Sequence, residues 1–527
     1  MGKGTGTDSA RTGLLEALRS WRTASVVLLS FSSGLPLGLV LIAIPDWMRS
    51  IGLDIRLVGL ITLAQAPWSL KVLWSPFLDR YQPPWLGRRR GWAAISQIVL
   101  LLLGLALAGV GHHPDAPWVV GALALAIAFA SATQDIAIDA YAVDVLLPEE
   151  QGVAVGARTA LYRAAMFVAG GVAITLAGRY SWPLVNVGLA LLYVPMLVVT
   201  CLAPEPAEQP ARPATLREAV WQPFLALLAR HRALEILAFV VLYKLADNLA
   251  MALIRPFLID MGYSETDRGV ALATIGLAAS LGGTFLGGVV TTLIGLGHSL
   301  WLFGFLQTFA SLGYVLLSGS PVNRPLMYAA TGFESLCAGM GTGAFAVLLL
   351  RLTQKRFSAT QYALFSSLFG VPRLVAGPIC GFIVDAVGWK AFFWLTIASG
   401  APGLILLARF VPLGTREPTF RVEPPASGVP LSTAGLVWRG VAGGAIAIVA
   451  SGLLVATLGA LKAMRTDPNA GFALGPALAS LAHPRAAGDW VGLVGLVAVG
   501  ILSGLFTAAV AAARHGERDP GLEYGQL

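Results

Sequence analysis

Two aspartates and two arginines stand where ionised groups are costly. Asp135 and Asp139 fall inside an apolar run from Trp118 to Leu147, four residues apart and so on one helical face. The run is long enough to cross a bilayer as a helix. A carboxylate at membrane depth costs at least about 2.5 kcal/mol unless something compensates it. The next apolar run carries Arg158 and Arg163, after the turn Pro148-Glu-Glu-Gln151. In an antiparallel hairpin, depths match where residue numbers have a constant sum. By that rule Asp135 pairs with Arg163 and Asp139 with Arg158, two rungs of opposite charge. Such rungs can staple two helices. Intramembrane ionisable residues also mark substrate and proton paths.

Buried charge recurs along the chain. Lys71 lies in the second apolar run. Lys244 and Asp247 lie three apart in the seventh, with Asn248 beside them. Glu334 lies in the tenth and Arg373 in the eleventh. Lys244 and Asp247 can neutralise each other. Glu334 has no partner near it in sequence, so it either hydrogen-bonds a neighbouring helix or exchanges a proton. A carboxyl group takes up and releases protons as its surroundings change, which makes Glu334 and Asp135 the candidates for proton coupling. Arg373 keeps its charge and can hold a carboxylate through two parallel bonds, or pair with Glu334 or a helix end. Trp68, Trp74, Tyr141 and Tyr243 offer flat rings near these charges, for stacking on sugar faces or for packing.

The elements that must position these groups are membrane helices. Of 527 residues, 56% are hydrophobic and only 12% are charged, and the mean hydropathy is +0.74. A soluble domain carries about 25% charged residues. The class is all-α and polytopic, embedded in a lipid bilayer. The net charge of +8 does not point to nucleic acid, because the basic residues sit in short loops beside apolar runs. Cys201, Cys337 and Cys380 all fall in apolar runs, so no disulfide framework is implied. The polar start, with Lys3, Arg11, Arg19 and Arg22, lacks a cleavable signal pattern, and the first span is expected to direct its own insertion. Walker A, HExxH, GxSxG and Cys–His cluster patterns are all missing from the sequence. The expectation is no enzyme, no cofactor and no metal.

Fourteen spans are expected, near 24–48, 57–78, 91–111, 118–146, 151–178, 182–202, 233–260, 267–293, 297–318, 325–351, 359–386, 389–411, 437–461 and 488–513. The domains follow: a tail (1–23), a six-helix bundle (24–203), a linker with an amphipathic helix (204–232), a second six-helix bundle (233–411), a Pro-rich linker (412–433), an extra two-helix hairpin (434–514) and a second tail (515–527). Lys and Arg concentrate in the tails and the even-numbered connections, so both termini are expected to be cytoplasmic. Val168-Ala169-Gly170, Trp182 and Pro195 recur 207 residues later as Val375-Ala376-Gly377, Trp389 and Pro402. Six spans separate the copies, so the repeat is parallel, as between the halves of major facilitator transporters.

Asp79-Arg80, followed by Gly87-Arg88-Arg89-Arg90, resembles the conserved loop of that superfamily. Its expected job is a cytoplasmic gate: a carboxylate caps a neighbouring helix, with arginine partners that separate when the halves rock apart. The matching place in the second half, Gly287-Gly288 and Leu296-Gly297-His298, keeps glycines and lacks the acid, so only one such gate is expected. Gly283-x-x-x-Gly287, Gly339, Gly341 and Gly343 are read as close helix packing.

At these residues the chain resembles the muropeptide permease family (AmpG-type) of the major facilitator superfamily. The resemblance rests on Ser33-Gly-Leu-Pro36, Lys71-Val-Leu-Trp-Ser-Pro76, Asp79-Arg-Tyr-x-Pro-Pro84, Ser131-Ala-x-Gln134-Asp135, Asp139-Ala140, Val241-Leu-Tyr-Lys244, Asp247, Cys337-Ala-Gly-Met-Gly-Thr342 and Phe357-Ser-Ala-Thr-Gln361. It implies import of N-acetylglucosaminyl-1,6-anhydro-N-acetylmuramyl peptides across the bacterial inner membrane, driven by protons. It also implies a role in wall recycling and in induction of β-lactamase. In that superfamily the first, fourth, seventh and tenth spans line a central cavity, and a monomer is expected. Tyr141-Ala142 stands where the family leads one to expect Trp-Lys, which bears on substrate preference. The alternatives are a transporter of acetyl-CoA or another bulky anion, a membrane enzyme acting on lipid-linked sugars, and a sensor.

Overall fold

Hydrocarbon offers the backbone no hydrogen-bond partner, so an apolar run of this length must close its own bonds as a helix. The computed structural model describes residues 16–17, 19–52, 62–111, 117–206, 211–228, 232–419, 431–466, 471–484 and 487–514. Among these, twelve helices are long and apolar enough to cross a membrane, and no strand occurs. The first half contains α1 (Trp21–Ser50), the short α2 (Ser75–Arg80), α3 (Arg88–Gly109), α4 (Pro117–Val145), α5 (Pro148–Ala177) and α6 (Trp182–Leu202). After α7 (Leu216–Leu228), the second half contains α8 (Ala233–Asp260), α9 (Glu265–Ile294), α10 (Leu296–Ser318), α11 (Arg324–Leu352), α12 (Ser358–Ser399) and α13 (Ala401–Phe410). Then follow α14 (Thr433–Thr466), α15 (Leu474–Ala482) and α16 (Ala487–Arg514).

Three elements differ from the sequence reading. The second expected span lies partly outside the described residues. From Thr62 it runs as short pieces, Thr62–Gln65, Ala66–Leu70, Lys71–Leu73 and Ser75–Arg80. Pro67 and Pro76 lack the N–H that a continuous ladder needs, which breaks the span. The eleventh and twelfth spans meet within α12, at a sharp break where Gly388 has φ 75°. The helix α15 was not expected; its nine residues are too few to cross hydrocarbon.

The chain forms two compact units. One comprises Met1–Leu216 and Glu235–Pro418, and the other Arg217–Leu234 and Thr419–Leu527. The first unit holds both halves, and their repeat is visible in the packing. Trp182, at the start of α6, stacks on Trp47 of α1 with centroids 5.3 Å apart. Trp389, just past the Gly388 break, packs on Phe257 of α8 at 5.2 Å. Each pair sits in the apolar core of its own half. Gly87 (φ 69°) precedes α3 and Gly295 (φ 90°) precedes α10, so both halves enter that helix through the same glycine-only turn.

The halves touch most closely where α5 crosses α9. A Cβ built on Gly156 would lie 2.9 Å from the backbone of Phe285, and Gly152 and Gly288 face each other with no room for side chains. Small residues let two backbones approach to this distance. Gly156→Val is therefore expected to lower the melting temperature of the detergent-solubilised protein by several degrees, since overpacking costs about 1–3 kcal/mol. Gly188→Val, where a Cβ meets open space, is the control and should leave the melting curve in place.

Candidate functional site

Asp79, at the end of α2, has no exposed surface. Its Oδ1 accepts from Arg89 Nη2 at 2.7 Å and from the backbone N–H of Ala359 at 3.2 Å. Its Oδ2 accepts from the N–H of Thr360 at 2.8 Å and from Thr360 Oγ1 at 2.6 Å. The carboxylate thus caps the first turn of α12, in the other half, where unsatisfied N–H groups and the helix dipole favour negative charge. Arg89 completes the joint. Its Nε donates to Asp144 Oδ2 at 2.9 Å and its Nη2 to Ser358 Oγ at 2.7 Å. One buried guanidinium therefore ties α3, α4, α2 and α12 together.

The other basic residues of this loop lie apart. Arg88 donates to the Asp79 carbonyl, Arg90 pairs with Glu205, and Arg80 lies over the Tyr81 ring. Phe357-Ser-Ala-Thr-Gln361 was quoted from sequence for the family resemblance, but neither its Ser358–Thr360 helix start nor Asp144 was assigned to the gate. Their signals were an acid closing an apolar run beside an Arg-rich loop, and two hydroxyls opening a helix.

The second half carries a counterpart that the sequence reading did not expect. Glu417 follows the last span of its bundle and supplies the missing acid. It pairs with Arg351 and accepts from the N–H of Leu296 at the start of α10, at 3.4 Å. Arg351 in turn reaches Gln151 Oε1 at 3.2 Å and the Pro148 carbonyl at 3.4 Å, in the first half. Both joints lie at the same end of the bundles.

Deeper in the first half, Asp139 pairs with Arg158 and with Lys71 Nζ at 3.4 Å. Asp135 lies beside Lys71, Asp139 and Ser33, and its Oδ1 is buried without a hydrogen-bond partner. Tyr362 of α12 is close to Asp139 and Arg158, so the cluster abuts the other half. Of the two expected rungs, Asp139–Arg158 is among the described ion pairs and Asp135–Arg163 is not. Arg163 donates instead to Ser280 Oγ at 2.7 Å, on α9. The hairpin assumption fails because α5 packs along α1 and α9, which turns Arg163 toward the second half.

The cluster of the second half is built on Lys244. Its ammonium donates to Asp247 at 3.0 Å, to Gln307 Oε1 at 3.0 Å and to the Ala338 carbonyl at 2.9 Å. Those are all three donors an ammonium has. Gln307 is a member that sequence reading missed. Glu334 is buried beside Asp247, and its Oε2 finds no partner. Asn248 turns back to the Lys244 carbonyl at 2.8 Å. No described ion pair joins the two clusters, so the charges form two groups rather than one.

Four candidates have structural partners outside these clusters. Gln134 donates to Ser32 Oγ at 2.7 Å, in a buried network with Gln97 and Thr200. Tyr141 donates to the Pro204 carbonyl at 2.9 Å and meets Ser25, which takes its ring away from Asp139. Tyr243 donates to the Leu300 carbonyl at 2.8 Å and stacks on Phe345 at 5.5 Å. Trp74 stacks on Phe129 at 4.7 Å and donates to Thr133. The side chain of Arg373 lies outside the described residues.

Two related helical bundles, jointed at one end and carrying buried charge at membrane depth, define a polytopic membrane transporter. Residues 26–371 match the family described as Major Facilitator Superfamily, and the chain belongs to that superfamily. It is 42% identical over 388 residues, covering 73% of this chain and 79% of the relative, to the "Anhydromuropeptide permease" of Escherichia coli (strain K12). It is 28% identical over 405 residues, covering 75% of this chain and 97% of the relative, to "Putative transporter AmpG 4" of Rickettsia felis. Among solved structures, a bacterial homologue of the iron transporter ferroportin superposes with a TM-score of 0.56 at 13% identity, covering 73% of this chain and 98% of that one. The human organic anion transporter MFSD10 gives 0.55 at 13% identity, over 73% of this chain and 99% of that one. These two likenesses show the fold.

Removing one partner of a buried pair costs on the order of 3–5 kcal/mol if the remaining charge stays buried. Asp79→Ala is therefore expected to let the halves part at this end. With Cys201, Cys337 and Cys380 replaced, a cysteine at Ala359, which is buried beside Asp79, should react with a maleimide at least tenfold faster once Asp79 is Ala. An unchanged rate would mean that the carboxylate does not hold this end shut.

Proposed function

We propose that the chain imports anhydromuropeptides from periplasm to cytoplasm across the bacterial inner membrane. These are disaccharides of N-acetylglucosamine and 1,6-anhydro-N-acetylmuramic acid bearing a short peptide. The observation that carries this reading is the 42% identity, over 388 residues, to the E. coli protein named anhydromuropeptide permease. Transport runs by rocking alternating access in a monomer with both termini cytoplasmic. In that orientation the Asp79–α12 joint is the cytoplasmic gate, and the described structure is shut on that side. A ligand drives the change between states only by binding one of them better.

Proton coupling falls to Asp135 and Glu334. Each is a buried carboxyl with one oxygen lacking a partner, beside a second carboxyl, Asp139 or Asp247. Two neighbouring carboxyl groups titrate as a pair, and each responds to what happens to the other. Asp139 and Asp247 are held by fixed cations, Lys71 with Arg158 and Lys244 respectively, although Asp247 Oδ1 also lacks a partner; Asp135 and Glu334, with no ion pair among the described residues, are assigned the proton. A substrate group that approached either pair would change the proton's binding energy, which is the linkage that coupling requires.

Uptake of a labelled anhydromuropeptide into proteoliposomes, with and without an acid-outside gradient, tests the reading. The gradient should raise accumulation at least tenfold. Asp135→Asn and Glu334→Gln should each remove that gain, while the amount of folded protein and the exchange of labelled for unlabelled substrate persist. Gradient-independent accumulation would end the coupling claim, and failure to accumulate any such sugar-peptide would end the substrate claim.

A further inference from the structure

The second unit carries a groove of about 710 Å³ that the transport reading does not use. Its floor is a seam of glycines between α14 and α16. A Cβ on Gly444 would lie 2.7 Å from the Gly500 carbonyl, and one on Gly504 would lie 2.8 Å from the Gly440 carbonyl. The two backbones therefore touch, and no side chain fills the trough above them. Its walls are branched aliphatic side chains, among them Val437, Val441, Ile448 and Ile501. On α16 the lining runs from Val497 to Ala508, about 16 Å of helix at ~1.5 Å per residue. One leaflet of a ~30 Å hydrocarbon core is about 15 Å deep.

One end of this apolar trough is charged. Arg217 and Trp221 of the amphipathic helix α7 line it together with Thr433. Arg217 is exposed and has no ion pair among the described residues. Trp438 is also exposed, on the same first turns of α14, and tryptophan at such a level marks the headgroup zone. A trough one leaflet long, with a guanidinium and the Trp221 indole in its lining, fits one ligand chemistry. An acyl chain lies along the glycine seam, and a phosphate meets the guanidinium.

We propose that the α14–α16 groove with Arg217 is a binding site for one anionic phospholipid drawn from the surrounding membrane. The glycines serve two ends at once: they let α14 and α16 pack, and they leave the space that the chain fills. The competing occupant is a second copy of the protein, since small-residue grooves also receive helices. The positive charge of Arg217 in the lining favours the lipid, because a helix from a second copy would need an acid there at the headgroup level.

Native mass spectrometry of the full chain, stripped of lipid and titrated with phosphatidylglycerol or phosphatidylcholine, is the test. One phosphatidylglycerol per chain should survive activation that removes phosphatidylcholine. Arg217→Gln should weaken that binding at least tenfold and erase the preference between the two lipids. Ile501→Trp, which fills the trough from an exposed wall position, should abolish the retained lipid with Arg217 intact. Circular dichroism melting of both variants, matched to the parent, establishes that they fold. Equal retention of both lipids by the parent, unchanged binding in Arg217→Gln, or a dimer that Ile501→Trp disrupts would each overturn the proposal.

Discussion

A charge removed from water must find its compensation within the protein, and the organisation of this molecule follows from that requirement. Asp79 meets it by accepting two backbone N–H groups, one hydroxyl and one guanidinium. None of the four is superfluous, since a carboxylate without exposed surface loses the stabilisation of bulk water. The consequence is structural. Three of the four groups become available only when α12 of one half meets α2 and α3 of the other. Closure of this end and satisfaction of the charge are the same event. Parting the halves must hydrate Asp79, Arg89 and the first turn of α12 together.

The same requirement sorts the deeper charges into held and unheld. Lys71, Arg158 and Lys244 are matched to Asp139 and Asp247. Lys244 uses every donor it has, so its role is to fix Asp247 and hold α8 against α10 and α11. Asp135 and Glu334 have no ion pair among the described residues and keep an unsatisfied oxygen each, as does the cation-held Asp247. A rigid ionic frame thus stands beside an unsatisfied carboxyl in each half, and each buried unpaired oxygen costs stability. The two clusters sit in different halves.

The helical class, the paired bundles and the general location of the charges were legible in the sequence, because hydropathy and residue type act over many positions. Register across helices was not. The pairing of Asp139 with Arg158 followed from matched depth, whereas Arg163 went to Ser280 because the neighbour of α5 is set by glycines at positions 152, 156 and 288, far apart in the chain. Rings were the least legible. Tyr141 and Tyr243 share their neighbourhoods in sequence with ionisable residues, yet each phenol is drawn to a backbone carbonyl on another segment. The role of Glu417 was hidden for a related reason. It lies beyond the last span of its bundle, where hydropathy carries no signal, and only the folded chain returns it to α10.

The Trp182–Trp47 and Trp389–Phe257 contacts follow one plan in the two halves, yet the plan is not repeated at the closed end. There one half donates an acid embedded in its own loop, whereas the other borrows one from the strand of chain that leaves the bundle. A hypothetical molecule made of two identical first halves would present two such acids to helix starts without the matching hydroxyls. The halves are thus complementary rather than identical at this end, like plug and socket, each meeting its neighbour through a different acid.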